Sequence, residues 1–333
     1  MSQVNAWWPV ALSHQLRNAP LACQLLGLPL VLFRDEGGRA AVLPDRCPHR
    51  FAPLSAGKVR DGQIECPYHG WRFAADGRCT RVPGTEQAAC NKPLLDSVQS
   101  CEAHGLVWVS PGPERPQTPP VAPAPQQQNL DTFWITDQVQ CSLQDAAENF
   151  LDGFHTHFVH AGWIRHDRQR QKLRVRVRAL ADGVEAVYSE EGKQSGLISH
   201  WFEGERGVSM GRFRLPGLAE IEYRDARGGV NLLVSAWMTP SGDGQLRLFA
   251  RVATTCGVLP ALLKRWVLRR LFGVILRQDR QILERVSANQ RRFHRIPATP
   301  LDGPQDLLGP GIRQLLENGQ PLVFAERELE IWL

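Results

Sequence analysis

Residues 148–160 read ENFLDGFHTHFVH, with three histidines, two carboxylates and an asparagine in thirteen positions. Three-residue steps from Asn149 to Asp152 to His155 set these side chains along one face of a helix. His160 lies five positions beyond His155, about 140° further round an ideal helix. The two imidazoles therefore meet at one ion only if the helix ends or bulges between them, a device that favours functional sites. His157, about 160° from His155 by the same geometry, should point elsewhere. Two neutral imidazoles and one carboxylate on one face of an octahedron suit a non-haem Fe(II) ion with positions left open for dioxygen. The carboxylate is expected from LFGVILRQDRQILERVSANQ (271–290), where Leu271, Ile275, Ile282 and Val286 mark an apolar helical face and Asp279 falls on it. A carboxylate on a core-facing stripe must be paired or metal-bound. Glu284 lies off the stripe and reads as a solvated charge, and Asp167, Asp302 and Asp306 are the alternatives to Asp279.

A second group of donors lies earlier, in DRCPHR (45–50) and IECPYHGW (64–71), which offer Cys47 and His49, then Cys66 and His69. Two thiolates and two imidazoles on two loops can make a tetrahedral zinc site or hold a two-iron, two-sulfur cluster. Zinc sites usually pair Cys-x-x-Cys knuckles, whereas each loop here gives one cysteine and one histidine. That division suits a cluster with both cysteines on one iron and both histidines on the other. Neutral histidine ligands raise the reduction potential above that of an all-cysteine cluster, and such a centre passes one electron at a time. Cys23, Cys79, Cys90, Cys101, Cys141 and Cys256 show no paired spacing and read as ordinary buried or free thiols.

The loops Cys-Pro-His-Arg and Cys-Pro-Tyr-His-Gly-Trp are similar to the signatures of Rieske proteins. With Asn-x-x-Asp-x-x-His-x-x-x-x-His behind them, the chain from about Trp7 to Arg292 resembles the Rieske non-haem iron oxygenases. Respiratory Rieske proteins carry an extra cysteine in each loop, forming a disulfide. Ala52 and Tyr68 stand at the matching positions, which disfavours that branch. The resemblance implies a [2Fe-2S] cluster on Cys47, His49, Cys66 and His69, and a mononuclear Fe(II) on His155, His160 and Asp279. QDRQILE is similar to the family's third-ligand motif. Asp152 and Asn149 are the catalytic candidates beside the ligands. From the residues alone Asp152 reads as an acceptor that orients His155. The resemblance implies instead that it bridges the mononuclear site to a Rieske histidine of the neighbouring subunit in a head-to-tail homotrimer.

The elements that must position these groups divide at a stiff, solvated segment, PGPERPQTPPVAPAPQQQ (111–128), with seven prolines. Residues 1–110 form the expected Rieske domain, 111–130 the linker and 131–333 the catalytic domain. Ahead of the linker, CQLLGLPLVLFR, AAVL after the turn DEGG, and GLVWVS predict a small all-β domain. Behind it come a helical segment near 142–160, then alternating runs (LRVRVRAL, GVEAVYSE, AEIEYRDA, NLLVSAWM, QLRLFARVAT), then a long amphipathic helix after Pro260. That order predicts an α+β domain in which an antiparallel sheet grips a long helix.

Composition excludes several function classes. Val258 to Leu276 is broken by Lys264, Arg265, Arg269 and Arg270, so no membrane span is expected, and a core helix with snorkelling basic chains is favoured over an in-plane amphipathic one. The net charge of +5 is densest in RQRQKLRVRVR (168–178), read as a strand with one basic, solvated face. No aromatic residues interleave with those charges, which argues against nucleic acid. The first residues lack a basic region followed by an apolar block, so a cytoplasmic protein is expected. No dinucleotide fingerprint and no plant-type ferredoxin cysteine run is present, which implies a separate reductase, with or without a ferredoxin, drawing on NADH or NADPH. The resemblance is greatest to the O- or N-demethylase and small monooxygenase branch. The expected function is hydroxylation or demethylation of an aromatic or polycyclic molecule. Ring cis-dihydroxylation is the runner-up, and a pure electron carrier the reading from another class. Phe202, Phe213, Trp237 and Phe249 are candidate pocket liners, with plain core the favoured reading of each.

Overall fold

Short alternating runs cut by Gly, Asp and Pro give the first part of the chain ten strands: β1 (Trp8–Leu12), β2 (Leu21–Leu25), β3 (Leu28–Arg34), β4 (Ala40–Pro44), β5 (Lys58–Arg60), β6 (Gln63–Glu65), β7 (Arg72–Phe73), β8 (Cys79–Arg81), β9 (Gln99–Ala103) and β10 (Leu106–Ser110). They form three antiparallel sheets, β1-β10-β9, β2-β3-β4 and β5-β6-β7-β8. A computed structural model describes residues 5–84, 92–114, 130–166, 168, 170–189, 207–255, 261–295, 300–320 and 322–333. Contacts divide the chain into two units, Met1–Val121 with Thr239–Asp243, and Ala122–Met238 with Gly244–Leu333. The first unit is all-β, as its sequence predicts. One of its cores gathers Val31, Phe33, Leu43, Leu54, Ile64 and Phe73 around Cys47 and Cys66, so the two thiols sit on packed hydrophobic ground.

The second unit is the expected α+β arrangement. Its elements are β11 (Leu130–Gln140), α1 (Leu143–Leu151), β12 (Lys172–Leu180), β13 (Gly183–Ser189), β14 (Val208–Arg214), β15 (Leu218–Arg224), β16 (Val230–Gly242, whose end from Thr239 counts with the first unit), β17 (Gln245–Thr255), α2 (Ala261–Arg292), α3 (Gly309–Asn318) and β18 (Arg327–Trp332). Eight strands form one sheet, β11-β17-β16-β15-β14-β13-β12-β18. The 32-residue helix α2 is tied along β11 by side chains of one strand face. Arg265 pairs with Asp131, Arg280 pairs with Asp137, and Arg269 lies over the Phe133 ring at 5.5 Å. Among the described residues no helix is long and apolar enough to cross a membrane.

Three expectations change. The helix expected over 142–160 stops at Leu151, because Asp152 turns the chain: its carboxylate accepts hydrogen bonds from Phe154 N at 2.7 Å and His155 N at 3.1 Å. Such a side chain offers the backbone an alternative to continuing the helix. His155–His157 then form a separate 3-10 turn, so the break falls before His155 and not between the two histidines. The buried stripe of α2 is also rotated from the one expected. It runs through Leu268, Ile275, Leu283 and Ser287, whereas Val286 is 39% exposed. The third change is an addition, β18, whose Glu-rich pattern gave no strong strand signal. It pairs with β12, where Lys172 meets Glu330 and Arg176 meets Glu326 and Glu328. The basic face of β12 is thereby neutralised within its own sheet, while Leu173, Val175 and Val177 are buried on the other side.

Candidate metal centres

In the first unit, Cys47 and His49 lie between β4 and β5, and Cys66 and His69 between β6 and β7. The two loops repeat one backbone turn. Cys47 N donates to Ala52 O and Phe51 N donates to Cys47 O, at 2.9 and 2.8 Å; Cys66 N donates to Trp71 O and Gly70 N to Cys66 O, at 2.8 and 3.1 Å. The fourth residue after each cysteine is left-handed, Phe51 at φ 59° and Gly70 at φ 69°. Glycine takes that conformation freely, and a phenylalanine there is uncommon. The turns bury both cysteines and leave both histidines exposed. The imidazoles face each other with ring centroids 4.6 Å apart, and Trp71 stacks on His49 at 4.8 Å and 8°. Burial and the neighbouring Cys66 push the Cys47 thiol up to about 11.

Among the described residues these four do not form a group whose ligand atoms converge on one point. They divide into a buried sulfur pair and an exposed nitrogen pair, which fits a two-metal cluster better than a single tetrahedral zinc.

One group does converge. In the second unit, ligand atoms of His155, His160 and Asp279 lie within 4.8 Å of one another. Asp279 Oδ1 is 3.4 Å from His155 Nε2 and 3.0 Å from His160 Nε2. Metal bonds of about 2.1 Å place adjacent octahedral donors about 3.0 Å apart, so the spacing suits one ion. Each imidazole is aimed by its other nitrogen: His155 Nδ1 lies 2.6 Å from the backbone carbonyl of Asp152, and His160 Nδ1 lies 2.9 Å from Gln278 Oε1. Donation from Nδ1 to those oxygens leaves Nε2 as the free lone pair on both rings. Asn149 Nδ2 donates to Asp279 Oδ1 at 2.9 Å, so Asn149 holds the carboxylate from the α1 side. Burial works against charge on His155, but Asp152 and Asp279 outweigh it and lift the imidazole to about 9. Burial likewise opposes the Asp279 carboxylate, and the two histidines outweigh it, holding the acid well below its usual range.

Of the other candidates, His157 is buried and stands outside the converging group. Asp302 pairs with Arg313, and Asp306 accepts from Gly303 N at 2.6 Å. Glu284 is partly buried rather than fully solvated. Asp167, Cys90, Cys256, Phe202 and the Pro-rich stretch 115–129 lie outside the described residues.

The three residues open onto a cavity between the inner sheet face and α2. Its walls are mostly aliphatic, as ligand pockets usually are. Phe213, Trp237 and Phe249 are buried core side chains and do not line it. Sequence reasoning missed the true lining, which includes Tyr188, Ser209, Tyr223 and Phe272. Arg165 is a buried cation in the wall, donating from Nη1 to Gly153 O at 2.8 Å and to Thr156 Oγ1 at 2.9 Å. It braces the turn that carries His155. A Cβ at Gly153 would come within 3.0 Å of the Leu333 side chain, so a larger residue there would have to push that side chain aside.

Comparison with known families agrees with this division. Residues 6–99 match the Rieske [2Fe-2S] domain, and residues 139–318 match the vanillate O-demethylase oxygenase C-terminal domain. The chain belongs to the Rieske-domain, vanillate O-demethylase oxygenase family. Among its relatives, dicamba O-demethylase, oxygenase component, from Stenotrophomonas maltophilia is 34% identical over 165 residues, covering 47% of this chain and 47% of that protein. Chlorophyllide a oxygenase from Chlamydomonas reinhardtii is 37% identical over 166 residues, covering 48% of this chain and 25% of that protein. The matches thus span between a quarter and about half of these relatives' length. A crystal structure of dicamba monooxygenase bound to 3,6-dichlorosalicylic acid shares the fold of this family member, with a TM-score of 0.79 at 22% identity, covering 94% of this chain and 96% of that one.

Proposed function

We propose that this chain is the terminal oxygenase of a multicomponent system, hydroxylating or O/N-demethylating an aromatic or polycyclic small molecule with dioxygen. The observation that carries the proposal is the convergence of His155, His160 and Asp279 at the wall of an apolar cavity, in a chain that also holds a Rieske domain. When bound, a [2Fe-2S] cluster supplies single electrons and an Fe(II) ion supplies a centre at which dioxygen is reduced. Cys47, Cys66, His49 and His69 would hold the first, and His155, His160 and Asp279 the second.

The chain's own residues do the rest. Asp152 and Gln278 fix the imidazole orientations, Asn149 holds Asp279, and the aliphatic walls exclude water. Hydroxylation of a methyl group on oxygen or nitrogen gives a hemiacetal or carbinolamine, which loses formaldehyde. Electrons come from a separate reductase, with or without a ferredoxin, in the cytoplasm. The working assembly is a homotrimer in which Asp152 joins the mononuclear site to a Rieske histidine of the neighbouring copy. The exposure of 36% of the Asp152 side chain supports that role.

The test is iron and acid-labile sulfide per chain, with the EPR spectrum after dithionite, on wild type and Asp279→Ala. Two cluster irons plus one more are expected, with the extra iron lost and the reduced-cluster signal kept in the variant. Two irons in both proteins would point to an electron carrier or an empty second site, and zinc without sulfide would overturn the reading.

A further inference from the structure

The cavity beside the triad is walled by α1, α2, the turns that carry His155 and His160, and strands β11 and β13–β17, with one exception. The exception is Leu333, the residue that follows β18. Among the described lining residues none comes from β12, which lies between β13 and β18 in the sheet, and none from β18 itself. At that end of the sheet a single side chain therefore forms the wall. It also lies beyond residue 318, where the match to the family's C-terminal domain ends.

Strand register brings it there. Val175 lies opposite Leu329 and Leu173 opposite Ile331, so alternation sets Leu329, Ile331 and Leu333 on the same face as those two buried residues. Exposure along this face falls from 36% to 8% to 4%. Leu333 N donates to Gln171 O at 2.9 Å, and Gln171 N donates to Leu333 O at 2.7 Å. This pair of bonds holds the backbone of Leu333 without help from its side chain. The side chain reaches Gly153, where an added Cβ would stand 3.0 Å from both of its Cδ atoms and 3.4 Å from Arg165 Nη1. Leu333 thus occupies the space that a glycine leaves open two positions before His155.

A leucine enclosed on every side would be plain core. This one packs against the Gly153 turn and also borders the ligand cavity, so its volume is traded directly against room for a ligand. When such a side chain is shortened its neighbours relax only in part, and space stays open. We propose that Leu333 determines the size of substrate the cavity admits, by setting how far a ring extends from the triad along the turn at Gly153. This deepens the oxygenase reading and rests on it.

The experiment is calorimetric binding, without turnover, of methoxybenzene and 2-methoxynaphthalene to the iron-loaded full chain. Wild type is compared with Leu333→Ala, Leu333→Val and Leu333→Met, with Fe(II) affinity and thermal melting measured on each. A ligand carbon that takes the place of a deleted side-chain carbon is worth about 4-fold in affinity. The preference for the naphthalene over the benzene is therefore expected to rise at least about 10-fold in the alanine variant and about 4-fold in the valine variant. Methionine, close to leucine in volume, should leave it within about 2-fold. The valine variant carries the test if the alanine one does not fold. A preference unchanged across the series overturns the assignment while the pocket stands. Fe(II) affinity lost in the shortened variants and kept in Leu333→Met, with no change in preference, also overturns it and makes Leu333 a support of the His155 turn. Binding of neither probe to wild type or to any variant overturns the pocket reading itself.

Discussion

The two candidate centres solve the same problem, assembling metal ligands, in opposite ways. The first uses two copies of one short turn, each supplying its donors within four residues, with sulfur inside and imidazole at the surface. The second takes two histidines from the turns after α1 and a carboxylate from α2, with Asn149 reaching across 130 positions to Asp279. There His160 is almost fully buried, at 1% exposure. Local turns shape each half of the first centre, and one shared core holds the two halves together. The second exists only when α2 is docked along β11, so tertiary packing sets its geometry. An electron-passing centre gains from exposed ligands, and a centre that meets substrate gains from a dry, enclosed one.

Removing one ligand from each centre is the strongest way to break this contrast. Cys66→Ser should abolish acid-labile sulfide while His155, His160 and Asp279 still take up one iron. Asp279→Ala should do the reverse. Turnover should fall to background in both. Loss of sulfide in Asp279→Ala would show that the centres are coupled in assembly, and the contrast between local and tertiary construction would fail.

That contrast also explains what could be read in the sequence. The eight donors and acceptors at positions 47, 49, 66, 69, 152, 155, 160 and 279 stand in recognisable local patterns, because each belongs to a turn or one helical turn. The strands from LRVRVRAL to QLRLFARVAT showed their alternation for the same reason. Less legible was whatever depends on contact between distant segments. The end of α1 was misplaced because a helical repeat cannot show that Asp152 will cap its own turn. The α2 stripe was rotated because burial there is decided by β11, not by periodicity. The partner role of Asn149 on Asp279 and the β18 strand both depend on contacts between segments far apart in sequence.

Asp152→Asn tests whether the second centre is more than a local construction. The variant keeps one carboxamide oxygen for the amides of Phe154 and His155, so both metals should remain bound. If the residue joins two copies of the chain, steady-state turnover should fall about 100-fold while a single turnover from pre-reduced protein falls as much, because the electron path itself is cut. A drop in iron content of matching size would reduce Asp152 to a turn former. Smaller effects are expected one step further from the ion. Gln278→Ala removes the acceptor that aims His160, and Asn149→Ala removes the donor that holds Asp279. Each should weaken Fe(II) binding by about 10-fold with sulfide unchanged. Titration of metal-depleted protein measures this, and unchanged affinity in both would show that packing alone orients the ligands.

The smallest effect separates the centres by pH. In the metal-free second centre, burial disfavours the charged His155, yet Asp152 and Asp279 prevail and lift it from 6.5 to about 9. The folded state therefore holds this proton more tightly than the unfolded chain. The stability it contributes is fully present below about pH 6.5 and is lost as pH rises through about 9. Asp279 runs the other way, its contribution present above the ordinary value of 3.8 and lost only in strong acid. The Cys47 thiol, at about 11, titrates above this window. Between pH 6.5 and 9 the melting temperature of chelator-treated protein should thus decline, with His155 acting from the bottom of the range and the raised thiols only at its top. Fe(II) takes the place of the His155 proton, so the iron-loaded protein should lack that slope. Chelated Asp279→Asn, with one of the two acids gone, should show a shallower one. Equal slopes in all three proteins would mean that the His155 proton is held no more tightly in the fold than in the open chain, and that the convergence of the three side chains carries no electrostatic coupling.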